Sequence, residues 1–144
     1  MLRQTFVRLI VVLIVMAFTG VAQGQDKLQN YFSDAACKVK VTVDPIQKRE
    51  ILDNSLERMA NALNSVKGSP LISKDDKAGI DYYRGILQEK QDELAGLNGY
   101  DRVSDAQLNA FADYVVQDME QARETVTISV VTLLLIIIIV ILIA

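Results

Sequence analysis

The sequence lacks histidine altogether and has a single cysteine, Cys37. Zinc, copper and haem sites are ordinarily built from histidine and cysteine, and histidine-dependent catalytic dyads and triads need an imidazole base. The seven glycines are scattered along the chain, so the sequence has no glycine-rich phosphate-binding loop. We therefore expect no enzyme activity, no cofactor and no metal site, and we assign no catalytic residue.

The sequence also lacks an excess of positive charge. Two of the 15 basic residues, Arg3 and Arg8, lie near the N-terminus, whereas all 18 acidic residues lie between Asp26 and Glu124, which gives residues 25–125 a net charge of −5. A nucleic-acid binder needs a basic surface to displace counterions from phosphate, and binding to anionic lipid headgroups needs basic clusters. The acidic balance argues against both nucleic acid and an anionic lipid surface as partners.

The N-terminus has the three parts of a signal peptide. Arg3 and Arg8 make it positive, residues 9–18 (LIVVLIVMAF) form an apolar core, and small residues precede a cut after Gly24. An uncleaved signal anchor is the alternative, but the apolar stretch is shorter than the ~20 residues that span a bilayer. We predict a signal peptide over residues 1–24, with cleavage and export of the chain that follows.

The C-terminal residues 126–144 carry no charge. As a helix that rises about 1.5 Å per residue, this segment is roughly 28 Å long, close to the ~30 Å hydrocarbon thickness of a bilayer. We predict a transmembrane helix here, in a single-pass protein whose domain, residues 25–125, lies on the extracytoplasmic side (periplasmic, extracellular or lumenal). The alternative is a removable signal for a lipid anchor.

Three hydroxyl residues, Thr125, Ser129 and Thr132, fall on one face of the predicted transmembrane helix because their spacings are four and three. They are candidate transmembrane helix contacts. The alternative is that each hydroxyl donates to a carbonyl of its own helix.

Two adjacent carboxylates, Asp75 and Asp76, lie at the start of a predicted helix. The positive end of the helix dipole stabilises carboxylates there, so we do not interpret the pair as a calcium site.

Caps and apolar spacing predict three helices between the two ends. The first begins at Asp44, an N-cap followed by proline, and ends at Gly68. The second begins at the capping residue Ser73 and ends at Asn98-Gly99. The third begins at Ser104 and meets no helix breaker before the C-terminal apolar run. Glycines inside the second helix allow close approach of a neighbouring backbone; they are Gly79, Gly85 and Gly96.

The segment before these helices has a different pattern. Residues 28–37 predict a short helix, and residues 38–43 (KVKVTV) alternate valine with polar residues, which is typical of a strand. Because no second strand is evident, we expect an extended segment that either packs over the bundle or pairs with a partner. The candidate partner contacts are Cys37, Val39, Val41 and Val43. Cys37 is either buried and inert or paired with another chain.

The predicted fold class is all-α: a small three-helix, up-down bundle with a short extended N-terminal segment, whose last helix is continuous with a C-terminal transmembrane helix. The pattern favours a membrane-anchored, extracytoplasmic interaction or structural protein, an accessory subunit or self-assembling component of a membrane-associated complex. The alternative is a ligand-sensing helical module that signals through a partner. That module needs a cavity lined by tyrosines, and the candidates are Tyr82, Tyr83, Tyr100 and Tyr114.

Overall fold

The computed structural model describes residues 24–143, and the predicted signal peptide lies outside them except for Gly24. The described chain is all-helical and contains no strand, which confirms the all-α part of the predicted fold class and no more. A single 3₁₀ turn, Asp105–Gln107, precedes the fourth helix. The five α-helices are Gly24–Val41 (α1), Pro45–Lys67 (α2), Lys74–Ala95 (α3), Leu108–Thr125 (α4) and Val130–Ile143 (α5).

Helix α2 begins and ends where its caps predict. The Asp44 carboxylate accepts a hydrogen bond from the Ile46 amide at 2.9 Å, and Pro45 occupies the first turn, where its missing N–H costs nothing. At the other end the Gly68 amide donates to the Asn64 carbonyl. Every residue of the predicted apolar stripe is buried, and the stripe consists of Leu52, Leu56, Met59, Leu63 and Val66.

Helix α3 begins as predicted but ends earlier. The Ser73 hydroxyl accepts from the Asp76 amide at 3.1 Å, whereas the helix ends at a left-handed Gly96 (φ 73°) and not at Asn98-Gly99. A Cβ at Gly96 would lie 2.8 Å from the Arg102 amide nitrogen, so the returning chain leaves no room for a side chain. The close return of the chain therefore fixes the end of α3 at Gly96.

The predicted extended N-terminal segment is wrong, because α1 continues as a helix through Val41. Val39 is fully buried, together with three other apolar residues of α1 at helical spacing: Leu28, Phe32 and Ala36. Helix α1 packs against α2, α4 and α5 along this stripe. The apolar area that the helical stripe buries outweighs the local preference of residues 38–43 for a strand.

The prediction of one continuous last helix is also wrong. Helix α4 ends at Thr125, Val126 is extended (φ −125°, ψ 145°), and a new helix begins only at Val130. The chain reverses over residues 126–129, and α5 packs onto α1 and α2, so the described bundle has five helices and not three. Within residues 24–143, no helix has both the length and the apolar character that crossing a membrane requires.

A buried lysine links α3 to α4. The Lys90 side chain is fully buried, and its Nζ lies 2.7 Å from an Asp118 carboxylate oxygen and 3.1 Å from Glu93. The same nitrogen lies 3.7 Å from the centre of the Tyr114 ring. Burial lowers the pKa of Lys90, but the hydrogen bonds to Asp118 and Glu93 outweigh it and raise the pKa above the ordinary value. Lys90 therefore stays charged, and its role is to join two helices.

Candidate functional site

The apolar helix α5 meets the rest of the bundle at a polar cluster of three residues, of which Asp76 and Thr132 are buried and Ser129 is exposed. Asp76 lies in the first turn of α3 and is only 7% exposed. One of its carboxylate oxygens accepts from the Ser129 amide at 3.0 Å. The other accepts from the Ser129 hydroxyl at 2.6 Å and from the Thr132 hydroxyl at 2.7 Å. We call this group the Asp76 cluster.

The cluster caps the N-terminus of α5. The Ser129 carbonyl accepts the first helical hydrogen bond, from the Leu133 amide at 3.0 Å, and its hydroxyl oxygen lies 3.4 Å from the Thr132 amide. This is the N-cap arrangement, in which a side-chain oxygen accepts a hydrogen bond from an amide that has no partner within the helix. The Asp76 carboxylate adds a negative charge where the helix dipole is positive. A residue of α3 thus fixes where α5 begins.

The charge of Asp76 is stabilised in its buried position. Burial raises the pKa of its carboxyl group, but hydrogen bonds from the Ser129 and Thr132 hydroxyls, the Ser129 amide and Ser73 outweigh that effect. The pKa of Asp76 therefore lies below its ordinary value, and the carboxylate stays ionised at neutral pH. An ionised acceptor makes stronger hydrogen bonds than a neutral one, which strengthens the attachment of α5.

An apolar contact stands beside the polar cluster. Ile128, in the link between α4 and α5, is 3% exposed and packs against Gly79 of α3. A Cβ added at Gly79 would lie 2.8 Å from Ile128 Cγ1, closer than atoms in contact normally come. The predicted close approach at a glycine is therefore present at Gly79. At Gly85, one to two turns further along α3, an added Cβ would meet nothing within 4 Å.

Helix α5 has two apolar faces and no polar one. Its inner face buries Leu133, Ile136 and Val140 at exposures of 3% or less. Its outer face includes Val131, 68% exposed, and Leu142, 58% exposed. Helical spacing adds three partly exposed side chains to this outer face: Leu134, Leu135 and Ile138. The single polar side chain on α5, Thr132, is buried against Asp76, so the outer face presents only hydrocarbon.

The predicted transmembrane contacts do not share a helix. Thr125 closes α4, and its hydroxyl donates to the Gln121 carbonyl at 2.9 Å, which is the alternative that the sequence left open. Ser129 and Thr132 instead donate to Asp76 across the bundle. The sequence does signal a cap, since Ser129 and Thr132 are the last hydroxyls before an unbroken apolar run, but nothing in it points to Asp76 as their partner.

The predicted partner contacts divide into one buried residue and three exposed ones. Val39 belongs to the core, so it is not on the surface. Val41 and Val43 are 81% and 93% exposed, and Cys37 is an exposed free thiol, which contradicts the buried alternative for this cysteine. Contact with a partner through Cys37, Val41 and Val43 stays a prediction.

The four tyrosines considered for a ligand cavity do not converge. Tyr83 is 1% exposed in the core, Tyr114 lies over Lys90, and Tyr82 and Tyr100 are about two-fifths exposed. A cavity of about 670 Å³ adjoins the Asp76 cluster, but none of these tyrosines lines it. Within residues 24–143, no group of three or more cysteine or carboxylate side chains is placed to hold a metal ion.

Comparison with models of protein families, with curated proteins and with solved structures found no match to this chain.

Proposed function

We propose that this protein is a membrane-associated helical interaction protein, exported through its N-terminal signal peptide, with its helical domain on the extracytoplasmic side. In this proposal α5 is the segment that contacts the membrane or an apolar partner within it, as in an accessory or self-assembling component of a membrane complex. The observation that supports it most is the outer face of α5, which is apolar along its length and partly exposed.

The exposed apolar area of that face sets the free energy that membrane contact would contribute. Burial of one large aliphatic side chain is worth about 1.5–3 kcal/mol. Val131 and Leu142 are more than half exposed and the other three side chains are less exposed, so the face amounts to about two fully exposed side chains, and its transfer from water to hydrocarbon is favourable by on the order of 4 kcal/mol. Contiguous exposed apolar surface on a helix is typical of protein or membrane contact sites. No charged side chain of α5 opposes that transfer, because the helix contains none.

Two modes of membrane contact follow from the fold. In the first, α5 stays docked and its outer face enters the interface of the bilayer. In the second, residues 126–144 form one spanning helix, as the sequence predicts. The second mode requires the link at residues 126–129 to become helical and the three hydrogen bonds of Asp76 to break. The first mode keeps every contact of the bundle.

Flotation of the full-length protein with phospholipid vesicles tests the proposal. Wild type is expected to float, and Val131→Gln with Leu142→Gln is expected to reduce flotation by about tenfold or more, since both substitutions place polar groups in the contact. The matched control is Val43→Gln with Ile46→Gln, which changes two residues that are at least as exposed but lie outside α5. Equal flotation of all three proteins would contradict a role for α5.

Two further measurements separate the parts of the proposal. Alkaline carbonate releases a surface-bound protein from vesicles but leaves a spanning one, so it distinguishes the two modes of contact. Intact mass of the protein recovered from its native membrane tests export. A mass that retains residues 1–24 contradicts cleavage of the signal peptide, and a mass that lacks residues 126–144 contradicts retention of the apolar segment.

A further inference from the structure

A groove lies between α1, α2 and α5, next to the outer face of α5. Its main cavity has a volume of about 520 Å³ and continues into a smaller one of about 260 Å³ between α1 and α2. Both cavities share a polar wall of four residues: Tyr31, Asp34, Lys38 and Arg58. The opposite wall of the larger cavity is apolar and comes from α5: Ile137, Val140 and Ile141.

Helical spacing explains why these side chains meet. Tyr31, Asp34 and Lys38 are three and four residues apart on α1, so they share one face of that helix. Ile137 and Ile141 are four residues apart on α5 and likewise share a face. The groove therefore has a charged side and a hydrocarbon side that run next to each other, which is the division that an amphiphilic ligand has.

None of the three charged side chains of the groove is held by an ion pair among the described residues, although Arg58 lies close enough to Tyr31 to affect the pKa of its hydroxyl. Within residues 24–143, the side chains of Asp34, Lys38 and Arg58 form neither an ion pair nor a hydrogen bond. The neighbouring Lys40, by contrast, pairs with Asp113 at 2.6 Å. Two cations and one anion thus remain available around a single cavity.

We propose that the groove binds one zwitterionic phospholipid, with Lys38 and Arg58 holding the phosphodiester and Asp34 holding the ammonium group of the headgroup. Cationic side chains, and the planar guanidinium above all, suit phosphate oxygens, and a carboxylate suits an ammonium group. The acyl chain then lies along Ile137 and Ile141 of α5.

A zwitterionic lipid fits better than an anionic one for two reasons. An anionic headgroup such as that of the glycerol lipid has the same phosphodiester but no ammonium group, so it leaves the Asp34 carboxylate beside the phosphate without a cationic partner. The domain as a whole carries a net charge of −5, which repels an anionic surface, whereas a headgroup without net charge meets no such repulsion. The groove binds a single lipid and uses charged residues of α1 and α2 that the outer face of α5 does not include, so the inference goes beyond the proposed contact of α5 with a bilayer.

Native mass spectrometry of the full-length protein tests the inference. The protein is released from mild detergent that contains equal amounts of two phospholipids with identical chains, one with an ethanolamine headgroup and one with a glycerol headgroup. We expect one lipid adduct, enriched in the ethanolamine lipid. Lys38→Gln with Arg58→Gln should reduce both adducts by about tenfold or more. Asp34→Asn should keep an adduct but remove the preference between headgroups.

The matched control is Lys74→Gln with Arg102→Gln, which removes the same two charges from exposed positions outside the groove. Circular dichroism of each variant checks that the fold is retained. The inference is overturned if wild type shows no adduct or no headgroup preference, or if the groove variant and the control lose lipid equally. Wild type that floats with vesicles but carries no adduct contradicts this inference alone. An adduct without flotation contradicts the proposed contact of α5 alone.

Discussion

Replacing two glycines of α3 by alanine, one at a time, tests how α5 is joined to the bundle. Gly79 and Gly85 lie in the same helix, so alanine at either position adds one methyl group and the same gain in helix propensity, about 1 kcal/mol. They differ in what the new Cβ meets. At Gly85 it meets open space, whereas at Gly79 it meets the buried side chain of Ile128.

The structure sets the expected difference in stability. Gly85→Ala should stabilise the protein by about 0.5–1 kcal/mol. At Gly79 the new Cβ lies 2.8 Å from Ile128 Cγ1 and 3.3 Å from Cδ1, whereas carbon atoms in good contact are about 3.5–4.0 Å apart. Overpacking of this kind costs about 1–3 kcal/mol, which cancels or exceeds the gain in propensity. The two variants should therefore differ by about 1–3 kcal/mol.

Equilibrium urea unfolding followed by far-UV circular dichroism measures that difference. Limited trypsin digestion at Arg123, just before the link, adds a local reading, because a displaced Ile128 should loosen residues 126–129 and speed cleavage there. When Ile128→Ala is already present, Gly79→Ala should no longer destabilise the protein, since the Ile128 atoms that the new Cβ would meet are gone. Equal stabilisation by Gly79→Ala and Gly85→Ala would refute the contact between α3 and the link.

Three further predictions concern buried polar groups. Asp76→Asn should destabilise the protein by about 2–3 kcal/mol, whereas Asp75→Asn in the same turn should change little. Because hydrogen bonds hold the pKa of Asp76 below its ordinary value, this stabilisation should be complete above about pH 5 and disappear as the pH falls through the folded-state pKa, which urea unfolding at several pH values would show. Lys90→Met should lower the free energy of unfolding, measured with heat or urea, by about 3 kcal/mol, because it leaves the Asp118 and Glu93 carboxylates without their cation. Adding Asp118→Asn to that variant should restore part of the lost stability. The buried Tyr83 hydroxyl has no hydrogen-bond partner among the described residues, so Tyr83→Phe should leave stability unchanged or raise it by up to about 1 kcal/mol. Burial also raises the pKa of Tyr83 to about 12, so the same variant should remove the last tyrosine to ionise in an absorbance titration.

Local rules predicted the boundaries that local chemistry fixes. Asp44 with Pro45, Gly68 and Ser73 act on amides and carbonyls within a few residues of themselves, so the sequence alone places the ends of α2 and the start of α3 correctly. The end of α3 was less predictable, because two glycines compete there. The return of the chain past Arg102 decides in favour of Gly96, and that contact is not local.

Strand periodicity in residues 38–43 misled for a related reason. The alternation of valine with polar residues indicates a local preference for a strand. Val39, however, also continues the helical stripe of Leu28, Phe32 and Ala36. Which pattern prevails depends on whether other helices cover that stripe. In the fold α2, α4 and α5 do so, and the helix extends to Val41.

The sequence by itself determined the all-α class, the caps of α2, the start of α3, and the uncharged character of the C-terminal run. Composition and short-range spacing are sufficient for these features, because each depends on neighbours along the chain. Only the tertiary structure decided that the run breaks at residues 126–129 and packs back onto α1 and α2. That outcome depends on Asp76 and Gly79, which lie about 50 residues before Ser129 and Ile128, a distance over which periodicity and caps carry no information.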